Sequence, residues 1–364
     1  MIWDYGENSI LSIASSIRTH YGLEAFSPSS PDLDAWLERN GFDCVVLFLT
    51  DAMGSAILEK HLSEESFLMR SLKKELVTVF PTATTAATTA LRTGRVPAAT
   101  GWFGWCQYFE ESDDLIIPFF GKGMYSEKEY GRDYAYKKLP VRFTVDELND
   151  AGIPSVCVWP AWGDCNPCGD IGKMMETVTA LAASKQFRHI YAYWDGLDAM
   201  MHRNGTGCET VREEVRRIDR LFDQFASSLP KSTGVIVTAD HGQVDCHSIN
   251  LSADPQLLAC LRRLPSMEAR FMDFSVKPDQ KETFVSRFNS SFGEDFLLLE
   301  TEENLSLFGG ETAYRNYLGD YIACSKTGAR FALNENFMKS IGDHGSFLDD
   351  EKRIPLILFG NEIK

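Results

Sequence analysis

The sequence predicts an α/β fold, a mostly parallel sheet with helices on both faces, carrying a small α+β insert. Three observations support this. Short and almost wholly apolar runs recur along the chain, stretches with helical spacing separate them, and the alternation breaks after about Leu258. A strand covered on both faces loses the in-out alternation of a half-exposed one and reads as a continuous apolar run. Helices placed between such runs are what parallel neighbours need for their crossovers.

Taken in order, DCVVLFLT (43–50) predicts the first strand, Ser55–His61 a helix, and LVTVF (76–80) a second strand. A helix over Thr85–Arg92 and another over Thr144–Ala151 precede the strand PSVCVW (154–159). The helix Gly172–Ser184, the strand HIYAYW (189–194), the helix Glu209–Ser228 and the strand GVIVTA (234–239) follow. Along Glu209–Ser228, Val211, Val215, Ile218, Leu221 and Phe222 recur at the spacing of one helical face. Beyond Leu258, the segments ARFMDFSV, QKETFVSRFNSSF, DFLLLE and TEENLSLFG read as a β-α-β-α insert over 258–310. That leaves 1–257 and 311–364 as the α/β core, with PLILF (355–359) expected to rejoin the main sheet.

At 364 residues and 40.9 kDa the chain can bury a sizeable core. A formal charge of −16 argues against nucleic-acid polymers and anionic membranes as partners, because both select for excess Lys and Arg. The amino terminus, MIWDYGENSILSIASSIRTHYG, lacks the basic region, apolar core and small-residue cleavage site of a signal peptide. The strongest apolar run, Cys44–Leu49, is too short to cross a bilayer. Nine cysteines without a framework spacing read as reduced thiols, so a cytoplasmic location is expected. Cys165 and Cys168 form a single CxxC; with no second pair to complete a structural zinc site, they read as a turn.

In an open parallel sheet, ligands bind beyond the carboxyl ends of the strands. Asp51 follows VVLFLT, Asp240 and His241 follow GVIVTA, Asp198 and His202 lie just past HIYAYW, and His344 precedes the last strand. An aspartate after a strand is commonly a helix cap, and Asp198 with His202 four residues on is equally well a surface pair. The combination is less ordinary. Three aspartates and three of the chain's seven histidines on one predicted edge form the oxygen and nitrogen set that zinc or manganese favours.

The stretch VTVFPTATTAATTALRTG (77–94) adds hydroxyls at the junction of a strand and a helix. Backbone N–H donors and the positive end of the helix dipole make that junction a place for phosphate. An unactivated threonine is a poor nucleophile, and coordination by a metal remedies this. Thr85, Thr88 and Thr89 read as capping and packing residues; Thr82 and Thr84 are both open to the nucleophile reading.

These residues resemble the alkaline phosphatase superfamily, and within it the type I phosphodiesterase/nucleotide pyrophosphatase family. The likeness rests on five ordered motifs: Asp51-Ala-Met53-Gly54, the segment Phe80 to Gly94, Asp198 with His202 and Gly205, Ala239–Gly242, and Gly342–Gly345. It spans roughly residues 40 to 360. The resemblance implies an alkaline-phosphatase-like fold and two divalent metal ions, zinc or manganese. It implies that Asp198, His202 and His344 hold one ion. Asp51, Asp240 and His241 would hold the other, its sphere completed by the oxygen of Thr84, the implied nucleophile. The chain departs from the family at Thr100-Gly101, where relatives often carry His-Gly, and at Thr85-Ala86-Ala87, where an asparagine that assists phosphate binding is absent.

The implied reaction is hydrolysis of a small phosphate ester, most simply a phosphodiester or nucleotide pyrophosphate, through a phosphothreonine intermediate. Phosphomonoester or phosphonate hydrolysis on the same site, and a non-catalytic metal-binding scaffold, are the competing readings. A sulfatase is disfavoured, since no Cys-x-Pro-x-Arg sequence occurs. Trp102, Phe103, Trp105 and Tyr108 are placed equally well to stack on a substrate ring or to pack the core. Neither the oligomeric state nor the natural substrate is expressed in these motifs.

Overall fold

In the computed structural model, which describes residues 3–334 and 337–361, a seven-stranded sheet forms the centre of the molecule. Its spatial order is Leu72–Val77, Arg353–Asn361, Thr233–Thr238, Cys44–Thr50, His189–Trp194, Ser155–Pro160 and Pro167–Cys168. Cys44–Thr50 is central and buried at every position, as its unbroken apolar run requires. It pairs in parallel with His189–Trp194 on one side and Thr233–Thr238 on the other. Thr50 lies opposite Trp194, and Leu49 opposite Thr238, so the chain leaves the sheet at one edge in all three strands. Asp51, Asp195 and Asp240 follow these exits. The register therefore places the acidic residues together before any loop conformation is considered.

Two groups of helices flank the sheet. Ile10–His20 packs on Pro31–Asn40 and on Thr84–Thr93, whereas Glu209–Ser228 packs on Ile171–Ala183, Ser55–His61 and Gly196–Asn204. Glu209–Ser228 buries Val211, Val215, Ile218, Phe222 and Phe225; Phe225 completes the stripe, and Leu221 lies at its margin. Ile10–His20, buried from Ile10 through Arg18, is absent from the sequence reading although Ile10, Ile13, Ala14 and Ile17 recur at helical spacing.

One strand differs from expectation. The strand read at 76–80 is Leu72–Val77, whose exposed and half-buried Lys73, Lys74 and Glu75 hide it from a search for apolar runs. It lies at the sheet edge, where one face is solvated. Its neighbour, Arg353–Asn361, runs antiparallel to both partners, as the one direction reversal in an otherwise parallel sheet among the described residues.

After Leu258 a second, four-stranded antiparallel sheet forms, in the order Ser266–Met267, Phe271–Phe274, Tyr321–Ser325 and Phe296–Glu300. Lys281–Phe292 is its helix, and Phe284, Phe288 and Phe292 fill a core of its own. This sheet continues past residue 310, because Phe296–Glu300 finds its partner in Tyr321–Ser325. The segment expected as a terminal helix, TEENLSLF, is instead a kinked 3₁₀ turn over Glu302–Phe308.

A buried ion pair ties the smaller sheet to the loop that carries His344. Arg270 donates from Nε to Glu351 Oε1 at 2.9 Å and from Nη2 to Oε2 at 3.0 Å, with both side chains fully buried. Glu351 also accepts the backbone N–H of Ser346 at 3.0 Å and of Leu348 at 3.2 Å. Removing one partner of such a pair leaves an uncompensated buried charge, which costs about 3–5 kcal/mol. Arg270→Ala should lower the unfolding free energy by that order in a denaturant titration, whereas Arg353→Ala, whose pairs with Glu59 and Glu75 are at the surface, should change it by less than about 1 kcal/mol.

Candidate active site

The first cluster grows from the exits of the central strands. Gly54 and Gly242 pass back to back; a Cβ built on Gly54 would lie 2.6 Å from Gly242 Cα, and one on Gly242 2.0 Å from the Asp350 carbonyl oxygen. Only glycine permits that approach, and it brings the Asp51 loop against the Asp240–His241 loop. Asp240 Oδ1 accepts the backbone N–H groups of Ala52 at 3.1 Å and His241 at 3.0 Å. Asp51 Oδ2 accepts the hydroxyl of Tyr193. The remaining oxygens, Asp51 Oδ1 and Asp240 Oδ2, are buried without a hydrogen-bond partner. They lie 3.5 Å and 3.6 Å from His241 Nε2. His241 Nδ1 donates to the Gly242 carbonyl at 3.0 Å, which turns the lone pair of Nε2 toward the two oxygens.

The second cluster forms where the helix Gly196–Asn204 meets the Gly342–Gly345 loop. Asp198 Oδ1 is 3.3 Å from His202 Nε2 and 3.6 Å from His344 Nε2. His202 Nδ1 donates to the Gly342 carbonyl and His344 Nδ1 to the Thr82 carbonyl, each at 2.9 Å. All three histidines thus hold the tautomer that presents Nε2. The clusters adjoin, with the His241 and His344 rings stacked at a centroid distance of 3.7 Å. Within each set, Asp51, Asp240 and His241, and Asp198, His202 and His344, the donor atoms lie within 4.8 Å of one another.

Charge crowding in this buried volume perturbs every member. Burial, and then the charges of Asp240 and Asp198, push the Asp51 carboxyl well above its usual range. Burial likewise raises Asp240, to about 7. Burial alone would raise Asp198 and lower His202, but their mutual attraction prevails; Asp198 is held below the usual carboxylate range and His202 is lifted to about 10. His241 and His344 are both lowered by burial. Orphaned buried carboxylate oxygens beside oriented imidazoles are the donor chemistry of a divalent cation, and the residues present fit two such ions.

The helix Thr84–Thr93 begins at the threonine itself, one residue before its expected start. Thr84 lines the cavity, and its Oγ1 lies 3.1 Å from His241 Nε2. The other threonines are otherwise engaged or enclosed. Thr82 Oγ1 donates to the Ser346 carbonyl at 2.9 Å and accepts the Gly345 N–H at 3.1 Å. Thr88 Oγ1 donates to the Thr84 carbonyl at 2.6 Å, and Thr85 and Thr89 are buried.

A cavity of about 490 Å³ opens over both clusters. Trp105, Phe119, Phe120 and Trp162 form an aromatic wall, and Pro265 to Ala269 with Met272 bring the smaller sheet into the lining. Tyr125, Leu264 and Ile341, the large apolar side chains most exposed among the described residues, lie in or beside the segments lining this cavity. Of the four aromatic residues weighed from sequence, Trp102 and Phe103 are fully buried in a core cluster and Tyr108 lies under Arg263, while Trp105 faces the cavity. The sequence reading missed Trp162, Phe119, Phe120, Glu268 and Arg203. Arg203 lies inside the Asp198–Gly205 motif but was not singled out; the others lie in no motif, and only folding brings their segments to one cavity. Cys165 and Cys168 are free thiols donating to the carbonyls of Cys157 and Asn166, apart from both clusters.

The arginines near the motifs point elsewhere. Arg92 stacks 3.5 Å over the Phe143 ring and Arg95 3.6 Å over Phe26. Arg262 pairs with Asp320, Arg263 stacks on Tyr108, and Arg270 is committed to Glu351. The cations of the cavity lining are Arg330, ion-paired with Asp343, and Arg203 at the exposed end of its helix.

Fold and site together set two clusters of carboxylates and imidazoles at one edge of an alkaline-phosphatase-like α/β core. Residues 124–346 match the family described as type I phosphodiesterase/nucleotide pyrophosphatase, and the chain belongs to that family of metal-dependent hydrolases. The matched span includes Asp198, His202, Asp240, His241 and His344; Asp51 and Thr84 precede it. No curated protein sequence matches the chain. Among solved structures, human ectonucleotide pyrophosphatase/phosphodiesterase 5 is similar at 16% identity, with 87% of this chain and 88% of that chain covered and a TM-score of 0.69. An inactive murine form of that protein, with a threonine replaced by alanine and AMP bound, is similar at 15% identity, 88% of each chain and a TM-score of 0.67. Phosphonoacetate hydrolase from Sinorhizobium meliloti 1021, in complex with phosphonoformate, is similar at 14% identity, 87% of this chain and 90% of that chain, with a TM-score of 0.65. No described helix is long and apolar enough to cross a membrane.

Proposed function

We propose that the chain hydrolyses small phosphodiesters or nucleotide pyrophosphates, with Thr84 as the nucleophile and a phosphothreonine intermediate. The observation that carries this reading is Thr84, the one threonine lining the cavity among the described residues, its hydroxyl 3.1 Å from His241 Nε2 at the start of a helix. Asp198, His202 and His344 would hold one divalent ion, zinc or manganese, and Asp51, Asp240, His241 and Thr84 Oγ1 the other; such a pair polarises phosphoryl oxygens and favours the deprotonated hydroxyl.

The protein's own groups do the remaining work. The first N–H groups of the helix Thr84–Thr93 have no intrahelical acceptor, so they are placed to donate to a phosphoryl oxygen. Thr82 grips the Gly345–Ser346 backbone and so fixes the loop that presents His344. The aromatic wall offers an apolar surface to the organic group of the ester and excludes water from its face. The inactive threonine-to-alanine form of the murine relative supports the nucleophile assignment by analogy.

Charge favours a diester. A monoester dianion calls for a further cation over its non-bridging oxygens. Arg92, Arg95, Arg262, Arg263 and Arg270 all bind elsewhere, and Arg330 is occupied by Asp343. Arg203 is the remaining cation of the lining, and it is exposed. Bis(p-nitrophenyl) phosphate should therefore be cleaved with a higher kcat/KM than p-nitrophenyl phosphate by metal-reconstituted enzyme. A clear preference for the monoester in that paired assay would overturn the diesterase reading.

The likeness to phosphonoacetate hydrolase makes phosphonate hydrolysis the second reading. Phosphonoacetate carries a second anionic group, so that reading calls for Arg203 to meet a carboxylate. Including phosphonoacetate in the same substrate panel tests it directly.

A further inference from the structure

Glu268 belongs to neither cluster and has no part in the chemistry above, yet it is built into the cavity wall. It stands in the turn between Ser266–Met267 and Phe271–Phe274, lines the cavity, and is 8% exposed. Its Oε1 accepts the backbone N–H of Trp105 at 2.6 Å. Its Oε2 has no hydrogen-bond partner among the described residues, and it is not among the atoms sealed from solvent. A nearly buried carboxyl group thus keeps one oxygen for whatever enters.

The backbone around it is held firmly. Met267 donates its N–H to the Cys106 carbonyl at 2.6 Å and accepts the Cys106 N–H at 3.3 Å. Met267 itself sits at φ +79, a conformation that a residue with a side chain rarely adopts. A Cβ on Gly345 would come within 2.8 Å of Glu268 Cβ, so the glycine of the His344 loop leaves room for the glutamate stem. These contacts set Glu268 beside Trp105, whose ring lies 5.6 Å from Phe120; Phe120 in turn lies 5.6 Å from Trp162. An aromatic wall with one open carboxyl oxygen at its border suits a flat ring with a polar edge.

We propose that Glu268 is a specificity-determining residue that selects phosphate esters whose organic group is an amino-bearing heterocycle, its Oε2 meeting a ring nitrogen or amino group while Trp105, Phe120 and Trp162 pack the ring. The proposal rests on the phosphodiesterase reading. Burial pushes the Glu268 carboxyl up, and a carboxyl oxygen accepts a hydrogen bond in either protonation state, the complement of the N–H groups of an aminated ring edge. A site that hydrogen-bonds its substrate discriminates strongly against an analogue lacking the partner, because the protein group is then left unpaired.

The test compares two diesters with the same leaving group: the p-nitrophenyl ester of 5′-adenylate and p-nitrophenyl phenyl phosphate, whose ring has no nitrogen. Glu268→Ala should lower kcat/KM for the adenylate ester by at least about tenfold while leaving the phenyl ester within about twofold. Glu268→Gln keeps the shape and the acceptor for Trp105, so it should unfold at the wild-type temperature and show the same differential loss in smaller measure. An equal loss on both esters, or no loss on either, in the two variants would overturn the role of Glu268. Failure of the wild-type enzyme to cleave either ester would instead overturn the phosphodiesterase reading.

Discussion

Thr84→Ala should lose turnover by several orders of magnitude while folding normally and retaining its metal. The hydroxyl completes a coordination sphere whose other members, Asp51, Asp240 and His241, are positioned by the sheet register and by backbone hydrogen bonds, so its loss should leave the cluster intact. Chemistry, by contrast, would lose its nucleophile. Thr85→Ala and Thr88→Ala remove hydroxyls that do not face the cavity and should keep most activity. Thr82→Ala should act through the His344 loop it grips, altering metal retention before the chemical step. Single-turnover kinetics, with mass spectrometry of acid-quenched enzyme, would locate the phosphate. Full activity in Thr84→Ala would transfer the attack to water, and phosphate on residue 85 would show that the nucleophile is the neighbouring threonine.

The second large effect concerns metal. Fully active protein should carry close to two divalent ions per chain, and Asp240→Asn and His344→Ala should each lose one preferentially, read by elemental analysis. Transition-metal-free enzyme of full activity would refute the assignment. Acidification should also empty the sites, because every ligand must be deprotonated to bind. Stability of the chelated protein should carry the complementary signature. Asp240 is raised to about 7 in the fold against an ordinary value of about 3.9, so folded protein binds the extra proton between those limits. Its contribution is complete below about 4 and is lost as the pH rises through about 7. The thermal midpoint gained on adding zinc should therefore grow between pH 5 and pH 8, which differential scanning calorimetry would measure without reference to turnover.

Much of the architecture was legible because burial on both faces leaves a mark on composition. Cys44–Thr50, His189–Trp194 and Thr233–Thr238 are apolar runs for the same reason that they lie at the centre of the sheet. Leu72–Val77 was misplaced because an edge strand shares its lysines with solvent. Asp51, Asp198, His202, Asp240, His241 and His344 could be named because short motifs fix them close to strand ends. Local chemistry left Thr82 and Thr84 open, and the family resemblance pointed to Thr84. Both precede or open the same helix; in the structure Thr82 bonds to Gly345 and Ser346, and Thr84 lines the cavity.

By itself the sequence determined the fold class, the sheet edge on which acids and imidazoles gather, and the family to which their order belongs. These follow from local patterns, in which strand exits, glycine turns and ligands are separated by a few residues. Tertiary structure alone decided the rest. It brought His344 onto Asp198 and into stacking contact with His241, turned each imidazole by a bond to a distant or adjacent carbonyl, and drew Trp105, Trp162 and Glu268 to one cavity. No pattern along the chain encodes those meetings, because packing and register, acting between segments far apart in sequence, set the distances.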